Sequence, residues 1–205
     1  MSLLQAAQNH TLPGLEVGED ITALERLSDP HCAGALWQRE VPANVMNWLA
    51  ALDPKHLPSA RVTLRPNAVA ETVAQLCEMA GTPDCPERTW LEADINQLSE
   101  TFATNMVADY IRLRLDVVTT NACRRWHIDS IFARLICTYR GTGTQVGNAV
   151  DGAEPTNART TPTGAPLALR GSLWPEIPPA NLRHRSPVIE GSGETRLLLV
   201  VDPVV

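Results

Sequence analysis

The sequence lacks any apolar run long enough to cross a bilayer. The longest one near the C-terminus, Leu197–Val201, is far short of the roughly 20 residues that a spanning helix needs. It also lacks an excess of positive charge: 17 Lys and Arg against 23 Asp and Glu give a formal net charge of −6. Such a chain offers no general positive field to a nucleic-acid backbone. The five cysteines, Cys32, Cys77, Cys85, Cys123 and Cys137, are odd in number and contain no CxxC pair, which argues against a zinc ribbon. The opening MSLLQAAQNH has no basic segment followed by an apolar one, so no secretory signal is expected there. Reduced thiols in a cytoplasm are the expectation, several of them filling core space. A Walker loop, a GxGxxG turn and a GxSxG elbow are absent as well. Nothing therefore points to a P-loop nucleotidase, a dinucleotide enzyme or a serine hydrolase.

What is present is the composition of a folded protein. Of 205 residues, 44% are hydrophobic and 20% charged, enough apolar side chain for a core and too few charges for disorder. The first part, residues 1–110, reads as mostly helical. Asn67 and Gly81 flank AVAETVAQLCEMA as an N-cap and a C-terminal glycine. A shorter helix is predicted over Asn44–Leu52, stopped by Asp53-Pro54. Leu91, Ile95, Leu98, Phe102 and Met106 recur at helical steps and predict a longer helix from about Glu87. Residues 111–205 change period. Arg112–Val117 and Ile131–Tyr139 alternate as strands, and Pro166–Arg170, Asn181–Val188 and Thr195–Val201 are further short strand candidates. The expected fold is α+β: a helical N-terminal part packed on a double-stranded β-helix (a jelly roll, cupin-like), the two parts forming one compact unit. The stretch Gly141–Pro166, rich in Gly, Thr, Pro and Asn, reads as a mobile loop or a functional lid.

Of the five histidines, His10, His31 and His56 have no acidic or thiol partner at ligand spacing and read as surface residues. His127 and Asp129 stand two apart in Trp126-His127-Ile128-Asp129, which on an extended chain turns both side chains to one face. His184 follows on a separate strand candidate, and Arg196 on the next. This is the order of the iron- and 2-oxoglutarate-dependent dioxygenases. Two neutral imidazoles and a carboxylate occupy one face of an octahedral ferrous ion and leave positions open. The far carboxylate of the co-substrate needs a cation, and a guanidinium fork suits it. The candidate metal ligands are therefore His127, Asp129 and His184. Arg196 is the candidate for 2-oxoglutarate, with Arg134, Thr138 and Tyr139 adding a hydrogen bond or selecting the substrate. No catalytic residue beyond the ligands is indicated. One departure is that Leu197-Leu198 follows Arg196, with no serine two positions on.

Taken alone, these residues also read as a structural Trp-His pair and a surface His-Arg pair. Two alternatives stand beside the oxygenase: a zinc or other metal protein assisted by Cys123 or Cys137, and an idle barrel whose Trp37, Trp48, Trp90, Trp126 and Trp174 line a partner surface. The expected substrate is a small molecule or a protein side chain, with no nucleic acid and no membrane as partner.

The stretch CRRWHIDSIFARLICTYRGTGTQ, with HRSPVIEGSGETRLLLVVDP, resembles a bacterial family known as domain of unknown function 1826. The shared features are Cys-x-x-Trp-His-x-Asp (Cys123, Trp126, His127, Asp129), the strand Arg134-Leu135-Ile136-Cys137-Thr138-Tyr139, the turn Gly141-x-Gly143-Thr144 and the segment His184-Arg185-Ser186-Pro187. The resemblance spans most of the chain and implies that these residues act as a unit. The family name implies no reaction.

Overall fold

The structure is a computed structural model and describes residues 12–150, 153–176 and 180–204. The elements run β1 (Leu15–Gly18), β2 (Gly34–Trp37), α1 (Ala43–Ala51), β3 (Ala60–Leu64), α2 (Val69–Ala80), α3 (Pro86–Asn105), β4 (Tyr110–Val118) and β5 (Ala133–Arg140). They continue through β6 (Gln145–Asn148), β7 (Arg159–Thr160), β8 (Leu167–Arg170), β9 (Leu182–Arg185) and β10 (Arg196–Val204). A 3-10 helix over Ile21–Ser28 lies between β1 and β2.

Seven strands form one sheet in the order β1-β2-β8-β5-β10-β4-β3, and three form a second in the order β7-β6-β9. All pairings in the larger sheet are antiparallel except β1 with β2. The period-2 alternation of β10 sorts its side chains to two faces. Leu197, Leu199 and Val201 join α3 residues Leu91, Ile95, Leu98 and Phe102 in one buried core. Leu198 and Val200 join Ile136, Leu167 and Leu169 of the larger sheet, with Val146 and Leu182 of the smaller one, in a second core. The layers are therefore helices, large sheet, small sheet. A strand covered on both faces reads as a nearly unbroken apolar run, which is why RLLLVV looks as it does. Full burial of each such Leu, Ile or Phe side chain contributes about 1.5–3 kcal/mol. Pro203 lies where β10 has run past β5 and pairs only with β4, so its missing N–H interrupts no β5 bond.

All three predicted helices form, and Gly81 closes α2 at φ 66 as a left-handed cap. Asn67 is not the N-cap; it sits inside a 3-10 turn, Pro66–Ala68, that runs into α2. The first 110 residues are less helical than expected, because β1, β2 and β3 come from them and enter the larger sheet. These strands are four or five residues long, too short to show a period. The core crosses the expected boundary, joining Leu24 and Val73 to Leu113 and Leu199. The Gly141–Pro166 stretch carries β6 and β7 of the smaller sheet, so it is not a plain loop. Trp37, Trp48, Trp90 and Trp174 pack against the helix-side core and form no surface stripe. His31 is exposed, whereas His56 is half-buried with Nδ1 3.0 Å from the Ala80 carbonyl. His10 and the MSLLQAAQNH stretch lie outside the described residues. Among the described residues, no helix is long and apolar enough to cross a membrane.

Candidate metal centre

The segment between β4 and β5 is irregular apart from one backbone bridge. The His127 N–H donates to the His184 carbonyl at 3.1 Å, and the His184 N–H returns the bond to the His127 carbonyl at 3.1 Å. Residues that exchange both bonds in an antiparallel pair stand directly opposite, with side chains on one side. The two imidazoles consequently lie 4.4 Å apart, tilted by 45°. The His127 Nδ1–H donates to the Arg125 carbonyl at 2.7 Å, a tautomer assigned from the hydrogen-bond network, which leaves Nε2 as the free lone pair. Two residues on, Asp129 Oδ1 lies 3.4 Å from His127 Nε2, and Asp129 Oδ2 lies 3.2 Å from His184 Nε2. One ligand atom from each of the three falls within 4.8 Å of the others.

Asp129 is held from two directions. Its carbonyl accepts from the Ser172 N–H at 2.8 Å, and the neighbouring Phe132 carbonyl accepts from Gly171 at 2.8 Å. Only glycine fits at 171, because a Cβ there would stand 1.9 Å from the Ile131 carbonyl oxygen. On the side-chain side, Arg134 Nη1 lies 2.8 Å from Asp129 Oδ2. The rest of that guanidinium is spent on Asp202, Nε to Oδ1 at 2.7 Å and Nη2 to Oδ2 at 2.8 Å. Burial would raise the Asp129 carboxyl, but the two histidines and Arg134 hold it well below the usual carboxylate range. Asp129 in turn raises His127, while burial pushes His184 down.

The donor set fits a first-row divalent metal. Both imidazoles turn Nε2 to the same carboxylate, and Asp129 Oδ2 is buried without a contact of hydrogen-bond geometry. Two neutral nitrogens and one carboxylate oxygen on one side of a point are the facial arrangement that leaves other positions open.

The triad opens into a cavity between the two sheets, walled by Arg114, Ile136, Leu198 and Val200 of the larger sheet and by Arg185 of β9. Arg196 lies on the interior face of β10, two residues before the cavity-lining Leu198. It is 1% exposed, and its Nε and Nη2 donate to the Thr142 carbonyl (2.7 Å) and Thr138 Oγ1 (3.2 Å), both neutral acceptors. Burial lowers its pKa, with Glu194 opposing in part.

Two expected site residues are placed otherwise. Tyr139 is five positions from Arg134 and so on the opposite face of β5. It packs in the helix-side core, and its hydroxyl donates to Asp94 Oδ2 at 2.6 Å. Arg134 does line the cavity, but its donors are committed to Asp202 and Asp129. Of the thiols, Cys137 is buried in the helix-side core, away from the triad. Cys123 Sγ lies 3.7 Å from His127 Nδ1, the nitrogen already bonded to Arg125. Two contributors escaped the sequence reading. Asp202 sits past the apolar run of β10, and Arg114 belongs to an Arg-Leu-Arg-Leu-Asp alternation whose polar face reads equally well as solvent-exposed.

The fold is similar to that of a solved dioxygenase. The dioxygenase for auxin oxidation 1 from Arabidopsis thaliana, solved as a 2-oxoglutarate complex, superposes with a TM-score of 0.50 at 10% identity, over 95% of this chain and 92% of that one. The rice dioxygenase for auxin oxidation gives 0.47 at 14% identity, over 95% of this chain and 83% of that one. A Pseudomonas putida prolyl-4-hydroxylase gives 0.44 at 12% identity, over 95% and 97%. No curated protein matches the sequence. The chain belongs to the family described as protein of unknown function, DUF1826, whose model matches residues 18–202.

Proposed function

We propose that this chain is a non-haem iron(II) and 2-oxoglutarate-dependent oxygenase built on a double-stranded β-helix. The observation that carries the reading is the convergence of His127 Nε2, His184 Nε2 and the Asp129 carboxylate at the head of a cavity between the two sheets. His127, Asp129 and His184 would hold ferrous iron. Arg196 would hold the far carboxylate of 2-oxoglutarate. Bound iron and co-substrate supply the coupling of 2-oxoglutarate decarboxylation to the oxidation of a substrate by dioxygen.

The chain's own residues prepare the site. The Arg125 carbonyl fixes the His127 tautomer, so that Nε2 faces the ligand point. Arg134, anchored by Asp202, orients Asp129 and keeps it ionised. Ile136, Leu198 and Val200 give the cavity dry walls. Arg196 is a buried cation whose hydrogen bonds go to neutral oxygens, and Glu194 offsets only part of the cost of burial. A carboxylate entering beside it would supply further counter-charge in a planar, two-point geometry.

The test is an anaerobic titration of the metal-free protein with ferrous iron and 2-oxoglutarate, followed by the weak visible charge-transfer band of the chelate. The band is expected in the wild type, lost in His127→Ala, and shifted to higher 2-oxoglutarate concentration in Arg196→Gln. Tight iron binding without a band discards the co-substrate. Unchanged iron affinity in His127→Ala discards the centre.

A further inference from the structure

Arg114 is the anomaly of the cavity. It projects from β4 into the space that holds His127, Asp129 and His184, with its side chain 18% exposed. Its guanidinium carries five N–H donors in a fixed fork, yet none makes a hydrogen bond among the described residues. Nε is buried without a partner. Among the described residues its one carboxylate contact within 4 Å is Asp116 Oδ2, 3.6 Å from Nη1. The other strongly buried arginines behave differently. Arg39 grips Asp94, Arg134 grips Asp202, Arg170 donates to three carbonyls, and Arg196 donates to Thr142 and Thr138.

Its surroundings do not explain it as a structural charge. Burial, the largest effect, and the neighbouring Arg134 and Arg61 work against its positive form, with Asp116 and Asp202 opposing in part. The net charge of the whole chain is −6, so a cavity wall carrying Arg114, Arg134 and Arg185 is not a by-product of composition. Nor does Arg114 duplicate Arg196. On the β4–β10 ladder Arg196 faces Val118, whereas Arg114 faces Val200. That is four positions along β4, about 13 Å at strand spacing. The two residues thus stand at different positions along the sheet.

We infer that the primary substrate of this oxygenase is a small carboxylic acid, and that Arg114 is the residue that binds its carboxylate. The inference rests on the oxygenase reading above. One planar fork matches one carboxylate in a bidentate pair. Asp116 and Asp129 nearby disfavour a group of higher negative charge, such as a phosphate. The apolar side chains of Ile136, Leu198 and Val200 then face the carbon skeleton.

The experiment uses the protein loaded anaerobically with ferrous iron and 2-oxoglutarate. Butanoate, hexanoate and phenylacetate are titrated calorimetrically beside their neutral amides, in wild type, Arg114→Gln and Arg114→Lys. At least one acid is expected to bind the wild type, with its amide at least about 10-fold weaker, as for the loss of a charge-assisted hydrogen bond. Arg114→Gln removes that preference and leaves 2-oxoglutarate affinity unchanged. Arg114→Lys keeps the charge but not the fork and falls between. Acids that bind no better than their amides overturn the proposal. So does an Arg114→Gln protein that has lost 2-oxoglutarate affinity, since Arg114 would then serve the co-substrate. The two readings fail separately. A missing charge-transfer band with the acid preference intact refutes the oxygenase and retains the carboxylate site. A normal band without acid preference does the reverse.

Discussion

Arg134 and Asp202 meet across β5 and β10 in a two-point ion pair, 2.7 Å and 2.8 Å long, one step beyond the last β5–β10 pair, Leu135–Val201. The third arm of the same guanidinium reaches Asp129 at 2.8 Å. A carboxylate proposed as a metal ligand is thus tied to the central strand of the larger sheet through one arginine. The rigidity of that strand is what positions it.

Arg134→Ala leaves Asp202, 4% exposed, without its counter-charge. Unfolding stability is expected to fall by about 3–5 kcal/mol, measured by urea denaturation. Iron affinity is expected to fall by about 10- to 100-fold. The double variant Arg134→Leu with Asp202→Leu recovers much of the stability but not the affinity. Recovery of both would mean that Arg134 only balances Asp202.

Gly171→Ala acts on the same ligand through the backbone. The added Cβ meets the Ile131 carbonyl oxygen at 1.9 Å and the Asp129 carbonyl oxygen at 3.0 Å. The turn carrying Asp129 has to shift, so iron affinity drops by about 10-fold or more while the helix-side core is untouched. Iron binding as tight as wild type would show that the turn yields without moving the carboxylate.

Tyr139→Phe removes a buried hydrogen bond to Asp94, which keeps its pair with Arg39. A loss of about 1.5–3 kcal/mol in stability is expected, the range for a hydrogen bond to a charged group. Iron and 2-oxoglutarate dissociation constants stay at wild-type values. A changed 2-oxoglutarate constant would return Tyr139 to the site.

Cys123→Ser separates iron from thiolate-assisted zinc. The thiol is exposed, and the imidazole nitrogen nearest to it is already bonded to the Arg125 carbonyl. Metal affinity, read by competition with a chromophoric chelator, is expected to be unchanged. A strong loss of zinc affinity would make the sulfur a ligand.

Much of the candidate site was legible in the chain because it depends on local spacing. His127 and Asp129 share a face through extended geometry, and His184 and Arg196 follow on short strand candidates bounded by Gly, Pro, Asn or Ser. The five apolar positions of α3 were equally plain, since a helix packed on one side repeats its signal over several turns. The short strands β1, β2 and β3 were not, because four or five residues complete too few periods to stand out.

The chain alone carries the candidate ligand types, their order and the two-faced character of β4 and β5. It did not determine which face was which. In a sheet covered on both sides, parity divides side chains into two sets without naming the layer each set meets. Tertiary packing made that assignment. It sent Tyr139 to Asp94 and the helices, turned Arg134 to Asp129 and Asp202, and placed Arg114, with no hydrogen bond among the described residues, beside His127, Asp129 and His184. Those pairings join residues as many as 68 positions apart; the pairing of β5 with β10 in the larger sheet and the packing of α3 on it bring them together.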